Sequence, residues 1–455
     1  MELFTKPSAV ETFYEAVMDN TYTHLALLKD EISKCIKCGV CMAGCPTYAM
    51  TKDETRVARG RLTLAGAVLD GRITVSRRFE EAVTSCIGCL TCDVNCPSGV
   101  RIGEVMFAAK AEIAETRGLN IVERIASKFV VGCRWPLSIL VRLAAIPIGI
   151  YEGIPLRGPL APLMPFVRNS IKRKLPAPGG RPLTSQYPEI VKTKSKRTKG
   201  RVAFYPGCVI DLSTQEIGRA TISVLNKLGY DVVIPKGQYC CGSPLQSLGD
   251  VETARNVAQK NVDLFSPLNV SAIIVSCATC GHTLKKEYPL LLGQSVNGSS
   301  GKVKEFSGKI TDIHEFVMES VNGDLKIGKA LGGTEKKRVT FHDPCHLKKG
   351  LGVYKSPREI LTALPTVGFT EMEEADACCG FGGIFSLYHY DLAADIGARK
   401  AESIKRTGSE IVATGCPGCK IHIEDSLHRA GYPATVRHTV ELLDEVLTYY
   451  HGDRI

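Results

Sequence analysis

Cysteine supplies 19 of the 455 residues, and 18 of the 19 stand in four groups spaced like iron ligands. Cys35, Cys38, Cys41 and Cys45 form the run C-x2-C-x2-C-x3-C closed by Pro46, and Cys86, Cys89, Cys92 and Cys96 repeat it before Pro97. Four thiolates so spaced hold a cubane 4Fe–4S cluster, and in the two-cluster arrangement the fourth cysteine of each run serves the other cluster. The expected ligand sets are therefore Cys35, Cys38, Cys41 and Cys96 for one cubane and Cys86, Cys89, Cys92 and Cys45 for the second. C-x2-C pairs also suit zinc. Two complete four-cysteine runs, each stopped by proline, favour iron.

The remaining two groups carry five thiols each. Cys208, the vicinal pair Cys240 and Cys241, and Cys277-x2-Cys280 form the first; Cys345, the pair Cys378 and Cys379, and Cys416-x2-Cys419 form the second. Matching positions are separated by 137, 138 or 139 residues, which marks an internal duplication. A cubane needs four thiolates, so the fifth is in surplus. Vicinal thiolates fit poorly at separate corners of one cubane. One is then either a free redox thiol or a bridge between irons in an altered cluster.

The elements that must position these thiols follow from the flanks. Val202 to Tyr205 and Val339 to His342 precede the first cysteine of each copy, while Ala272 to Val275 and Glu410 to Ala413 precede the C-x2-C pairs; all four stretches predict short buried strands. Glu216 to Leu228, Val251 to Leu264 and Leu387 to Lys405 predict intervening helices. Alternating strands and helices with ligands just after the strands describe a parallel α/β layout, with the cysteines at the carboxyl strand ends where such sheets bind ligands. Around the first two runs, Arg61 to Leu69 and Ile102 to Glu115 predict helices. The expected fold class is thus mixed α+β and α/β: a small helical two-cluster ferredoxin domain over residues 1–128, a Pro- and Gly-rich connector over 129–200, and a duplicated parallel α/β module, 201–333 and 334–455, with pseudo-twofold symmetry.

Charge is concentrated in the connector. Between Arg134 and Arg201 stand 14 Lys and Arg against two acids, so the net +10 of the chain belongs to this segment and the rest is near neutral. So local an excess does not predict a nucleic-acid partner. It reads as a solvated linker, or as a basic surface for an acidic partner or an anionic membrane. The apolar stretches Leu137 to Val141 and Leu143 to Ile150, broken by Arg142 and Pro147, fall short of the ~20 residues that span a bilayer. Cys133 stands apart beside Trp135 and reads as a packed apolar thiol. The first twenty residues carry charges throughout and no signal-peptide core, and metal-ligating thiols must stay reduced. The expected location is the cytoplasm, with attachment to the inner face of the cytoplasmic membrane as a peripheral option.

The motifs HDPCHL at His342 to Leu347, CCGFGG at Cys378 to Gly383, ARK at Ala398 to Lys400 and GCPGC at Gly415 to Cys419 resemble those of proteins with paired cysteine-rich CCG domains. These include heterodisulfide reductase subunits and the iron–sulfur subunits of glycolate and lactate dehydrogenases. The resemblance covers nearly the whole chain. In the reductases a five-cysteine CCG motif holds a noncubane 4Fe–4S cluster, and every ligand position is matched in both copies here. It therefore implies one or two further noncubane clusters beside the two cubanes, in a subunit of an oxidoreductase complex. By the segment Asp53 to Arg61 and by domain order, the chain is equally similar to the dehydrogenase subunits.

No G-x-G-x-x-G opens a helix after a strand and no P-loop occurs. If an organic substrate is oxidised, the flavin must sit on another chain. The expected partner is an FAD-containing dehydrogenase subunit or another electron-transfer flavoprotein, with a membrane-peripheral or quinone-linked acceptor beyond. The alternative is a disulfide reductase, in which Cys240, Cys241, Cys378 and Cys379 would be catalytic. His282, His342 and His346 lie beside cluster cysteines, and two roles stand open for them as neutral imidazoles: donating hydrogen bonds to sulfide, or being satisfied within the sheet edge.

Overall fold

The computed structural model describes residues 24–125, 127–128, 181–293, 300–325 and 336–451. Cys133 and both apolar stretches of the connector lie outside them. The described chain divides into two compact units, one running to Leu119 with Gln246–Gly249 added, the other holding the rest.

The first unit is helical. Its helices are α1 (Lys29–Ser33), α2 (Val40–Ala43), α3 (Pro46–Thr51), α4 (Ala58–Leu69), α5 (Arg77–Thr84), α6 (Thr91–Val94) and α7 (Ile102–Arg117). Leu62, Ala65, Phe79, Val83, Val105 and Ala109 meet in a dry core between α4, α5 and α7, and Cys35, Cys41, Cys86, Cys92 and Cys96 pack against it. Burial of such side chains contributes about 1.5–3 kcal/mol each. Pro46 opens α3 at a position where its missing N–H costs nothing. The Ser76 hydroxyl caps α5 by accepting the Phe79 N–H at 3.3 Å.

The second unit holds two sheets. Strands β1 (Ile190–Val191), β2 (Gly200–Tyr205), β3 (Tyr230–Val233), β4 (Ile273–Val275) and β5 (Ile310–Asp312) form one in the order β1-β3-β2-β4-β5; β6 (Lys337–His342), β7 (Val367–Phe369), β8 (Ile411–Thr414) and β9 (Thr435–His438) form the other in the order β7-β6-β8-β9. Apart from the antiparallel edge strand β1, every pairing is parallel, with Phe204 beside Ile274 and Phe341 beside Ala413. The order β3-β2-β4-β5 repeats as β7-β6-β8-β9, as a duplication requires. The inner ends of β2, β4, β6 and β8 are fully buried, which explains the apolar runs of β2, β4 and β8, while β6 alternates apolar Val339 and Phe341 with buried Thr340 and His342.

The helices that frame the thiols include α8 (Gly207–Leu212), α9 (Gln215–Lys227), α10 (Val251–Phe265), α11 (Ala278–His282) and α12 (Ile313–Ser320) in the first module, and α13 (Lys355–Ala363), α14 (Tyr390–Thr407), α15 (Pro417–Arg429) and α16 (Thr439–His451) in the second. The modules contact each other reciprocally: α9 packs on α16, and their counterparts α13 and α12 pack together. Lys227 Nζ seals the first contact on Asp444 at 2.7 Å. The expected helix over Leu387 to Lys405 is broken, because His389 leaves helical angles (φ −118°, ψ 50°) and α14 starts after it. The end of the connector belongs to the first module, where β1 pairs with β3 and Lys192 meets Asp231 at 3.1 Å. No helix among the described residues is long and apolar enough to cross a membrane.

Candidate metal centres

In the helical unit each cysteine run turns through two residues of positive φ, at equivalent places. Lys37 (57°) and Gly39 (84°) serve the first run, Gly88 (72°) and Leu90 (60°) the second. Glycine adopts this conformation freely, whereas Lys37 and Leu90 occupy it at a cost of roughly 1 kcal/mol. The turns gather thiols. Burial first, then the neighbouring Cys35 and Cys38 thiols, push the Cys41 thiol up; burial, Asp93, Cys86 and Cys89 do the same to Cys92. Backbone and hydroxyl groups already address the sulfurs, Val100 N–H donating to Cys96 Sγ at 3.4 Å and Thr47 Oγ1 lying 3.2 Å from Cys45 Sγ. Cys38 is the exposed thiol among the described cysteines.

In the α/β unit, Cys208, Cys277, Cys345 and Cys416 lie just beyond the carboxyl ends of β2, β4, β6 and β8. Each module closes on its vicinal pair. Cys208 Sγ lies 3.6 Å from Cys240 Sγ, Cys241 is hydrogen-bonded to Cys240 and Cys280, and Cys280 N–H donates to Cys277 Sγ at 3.5 Å. In the second module Cys379 Sγ lies 3.4 Å from Cys419 Sγ, and the Cys378 thiol is within hydrogen-bonding reach of Cys345 and Cys379. Cys277 and Cys416 then join the modules within hydrogen-bonding reach. The ten thiols of the two copies thus form one unbroken series.

The chemistry of this donor set fits metal clusters. Thiols crowded in a dry site cannot all ionise unaided: hydrogen bonding from neighbouring thiols and burial push Cys208, Cys280 and Cys419 well up. Metal cations remove that barrier, because a thiolate bound to iron is neutralised in place. None of the described cysteines is in a disulfide. The backbone has also been cleared: a Cβ on Gly207, whose φ is +67°, would stand 2.8 Å from Cys280 Sγ.

Histidines surround the series. His342 is fully buried, its ring and the thiols of Cys379 and Cys419 place their ligand atoms within 4.8 Å of one another, and burial pulls it down to about 3. Its Nδ1 faces the Ala375 carbonyl at 3.1 Å, which can only accept. The neutral ring therefore carries its proton on Nδ1 and presents a bare lone pair at Nε2. Of the two roles open to His342, the structure favours the second: its N–H is satisfied by a backbone carbonyl and is not free for sulfide. His438 has the opposite tautomer: Nδ1 accepts the Val440 N–H at 3.1 Å, so Nε2 bears the hydrogen. His438 stacks on His314 at 5.4 Å, and His314 Nδ1 meets the buried Asp312 carboxylate at 2.6 Å. His282 and His346 stack across the module boundary at 4.9 Å, with His346 Nδ1 3.2 Å from Thr279 Oγ1.

Sequence reasoning did not single out Asp312, His314 or His438, whose strand ends β5 and β9 carry no cysteine to flag them. Lys400 was visible only as part of the ARK motif. It is 2% exposed, with Nζ donating to Glu374 O at 2.8 Å and Ala375 O at 3.3 Å. Burial brings its ammonium down to about 8 against the opposing pull of Cys379 and Cys378. A cleft of about 920 Å³ on α14, lined by Glu373, Arg399, Arg406 and Arg429 among others, has no cysteine in its wall and is not part of this site.

Two family models match. The 4Fe-4S dicluster domain covers residues 31–100, and the Cysteine-rich domain matches twice, over 202–285 and 339–424. Among relatives, the probable glycolate oxidase iron-sulfur subunit of Bacillus subtilis is 30% identical, covering 91% of this chain and 94% of that one. An uncharacterized iron-sulfur protein of Methanococcus maripaludis is 31% identical over 96% of this chain and 78% of its own length. A subunit of the dihydromethanophenazine:CoB–CoM heterodisulfide reductase of Methanosarcina barkeri is 26% identical over 92% of this chain and 94% of its own length.

Proposed function

This chain belongs to the family of oxidoreductase iron–sulfur subunits that join a two-cluster ferredoxin domain to two cysteine-rich domains, and on that premise we propose that it relays electrons from a flavoprotein oxidising a 2-hydroxy acid such as glycolate or lactate. The observation that carries the relay is the unbroken series of ten thiols joining the two modules, a donor set for neighbouring one-electron carriers. Clusters bound there would supply the redox chemistry. The protein's residues keep water out and set the local field. The ligand sets in this proposal are Cys35, Cys38, Cys41 and Cys96; Cys86, Cys89, Cys92 and Cys45; Cys208, Cys240, Cys241, Cys277 and Cys280; and Cys345, Cys378, Cys379, Cys416 and Cys419.

The hydroxy acid is favoured by end-to-end similarity to a glycolate oxidase subunit in a chain lacking a dinucleotide fingerprint of its own. The partner is then an FAD-containing subunit, and the basic run Lys194, Lys196 and Arg197, exposed beside β1, supports docking to an acidic partner or to an anionic membrane from the cytoplasmic side. The completeness of both five-cysteine sets favours a second reading, reduction of a disulfide at Cys240, Cys241, Cys378 and Cys379. Anaerobic isolation with the bound partner, followed by addition of glycolate or lactate, tests the first: the visible absorbance should bleach on the timescale of turnover. An isolated complex with no flavin, or a flavin reduced while the iron–sulfur absorbance stays, would refute it.

A further inference from the structure

The two modules differ in buried charge. Helices α10 and α14 begin 139 residues apart, the offset of the C-x2-C pairs, so Asn261 and Lys400 hold the eleventh position of equivalent helices. Both side chains reach the loop that leads to the vicinal cysteines. Asn261 does so with a neutral amide: Nδ2 donates to Cys240 O and to Tyr288 Oη at 3.0 Å each, and Oδ1 accepts the Tyr239 N–H at 3.0 Å. Lys400 does so with an ammonium whose partners are the carbonyls of Glu374 and Ala375.

Carbonyls satisfy the donors of Lys400, and its charge is left to act on the thiols of Cys379 and Cys378 and, more weakly, on Asp376. The carboxylates nearby are committed elsewhere, Asp376 to Lys348 at 3.1 Å and Asp343 to Arg358 through two bonds of 2.8 and 2.9 Å. In the first module the buried groups that sense the thiols, Tyr205 and Tyr288, are neutral. Reduction adds one negative charge to a cluster, and a buried cation close by stabilises that form where screening is weak.

We propose that Lys400 makes the second cysteine-rich module the more oxidising of the two, so that an electron shared between the modules rests on the second. This rests on the reading that both modules hold clusters. Lys400 acts as a positioning charge: it fixes the direction of flow along the thiol series, one electron leaving the first site as one arrives at the second.

The test is a redox titration of the whole chain, isolated anaerobically and followed by its paramagnetic signals, with iron counted in parallel. In Lys400→Met the higher of the two cysteine-rich couples should fall by at least tenfold in its one-electron equilibrium, about 59 mV, with iron unchanged, and Lys400→Arg should hold the wild-type value. Asn261→Lys should raise the lower couple by a similar factor. A Lys400→Met couple that stays in place, or one that falls equally in Lys400→Arg, overturns the proposal. Should Lys400→Met lose iron, Asn261→Lys decides: a raised couple supports the proposal and an unmoved one overturns it. A wild-type chain holding about eight irons, with couples from the ferredoxin unit alone, instead refutes the site assignment and this proposal with it.

Discussion

Single residues in this molecule are placed by the sulfurs they serve. Arg61 is 2% exposed and has its guanidinium on the Ala82 carbonyl at 2.7 Å, Ser85 Oγ at 3.1 Å and Thr47 Oγ1 at 3.3 Å. Thr47 in turn lies against Cys45 and donates to Arg56 O at 2.8 Å. Replacing Arg61 by Ala removes donors from buried acceptors and opens a cavity, at a cost of about 2–4 kcal/mol. Calorimetry should register that loss in the transition of the ferredoxin unit, with its iron falling in parallel, while iron in the α/β unit is kept. The fourth ligands are the second case. Cys96→Ser should damage the cluster held by Cys35, Cys38 and Cys41 and spare that of Cys86, Cys89 and Cys92, because the fourth cysteine crosses over. A selective paramagnetic probe of each cubane reads this out; loss of the same cluster in Cys96→Ser and Cys92→Ser would disprove the crossover.

Secondary-structure elements bring the modules into register, and one glycine shows how closely. A Cβ on Gly350 would stand 2.5 Å from His282 Nδ1, in the ring that stacks on His346. Gly350→Ala should therefore displace His282, loosen α11 from the π-helical turn His346–Leu351, and lower the iron of the cysteine-rich modules while the ferredoxin unit keeps its share; unchanged iron and melting would mean the ring moves freely. This contact could not be read in sequence. The strands could, because β2, β4 and β8 are buried on both faces and so carry apolar runs, and the helices could, because α9 and α10 show one apolar face. The tautomers of His342 and His438 and the pairing of Cys277 with Cys416 depend on how two distant chain segments fold together, which local pattern does not encode. The break at His389 was invisible for a simpler reason: apolar spacing continues through it.

For the molecule as a whole, the question is whether electrons only pass through the thiol series or also break a bond there. Four filled sites require about sixteen irons per chain, and metal analysis that instead found stoichiometric zinc would remove iron chemistry from the modules. Given iron, the two functions make different demands on coordination. A relay needs every iron saturated by protein thiolates and sulfide, so adding a thiol or a disulfide should leave the paramagnetic signals unchanged. Bond cleavage needs an iron that substrate sulfur can reach, so thiol added to the oxidised protein should create a new signal, and Cys378→Ser or Cys379→Ser should abolish disulfide turnover while the ferredoxin unit still accepts electrons from a chemical donor. Dense protein ligation favours the first outcome: each module offers five thiols, burial keeps solvent from most of them, and Cys277 meets Cys416 at the junction of the modules. The expected result is no thiol-dependent signal, and reduction of the clusters only when the flavoprotein and its hydroxy acid are both present. A thiol-dependent signal accompanied by disulfide turnover in the isolated chain would assign the molecule to reduction of disulfides instead.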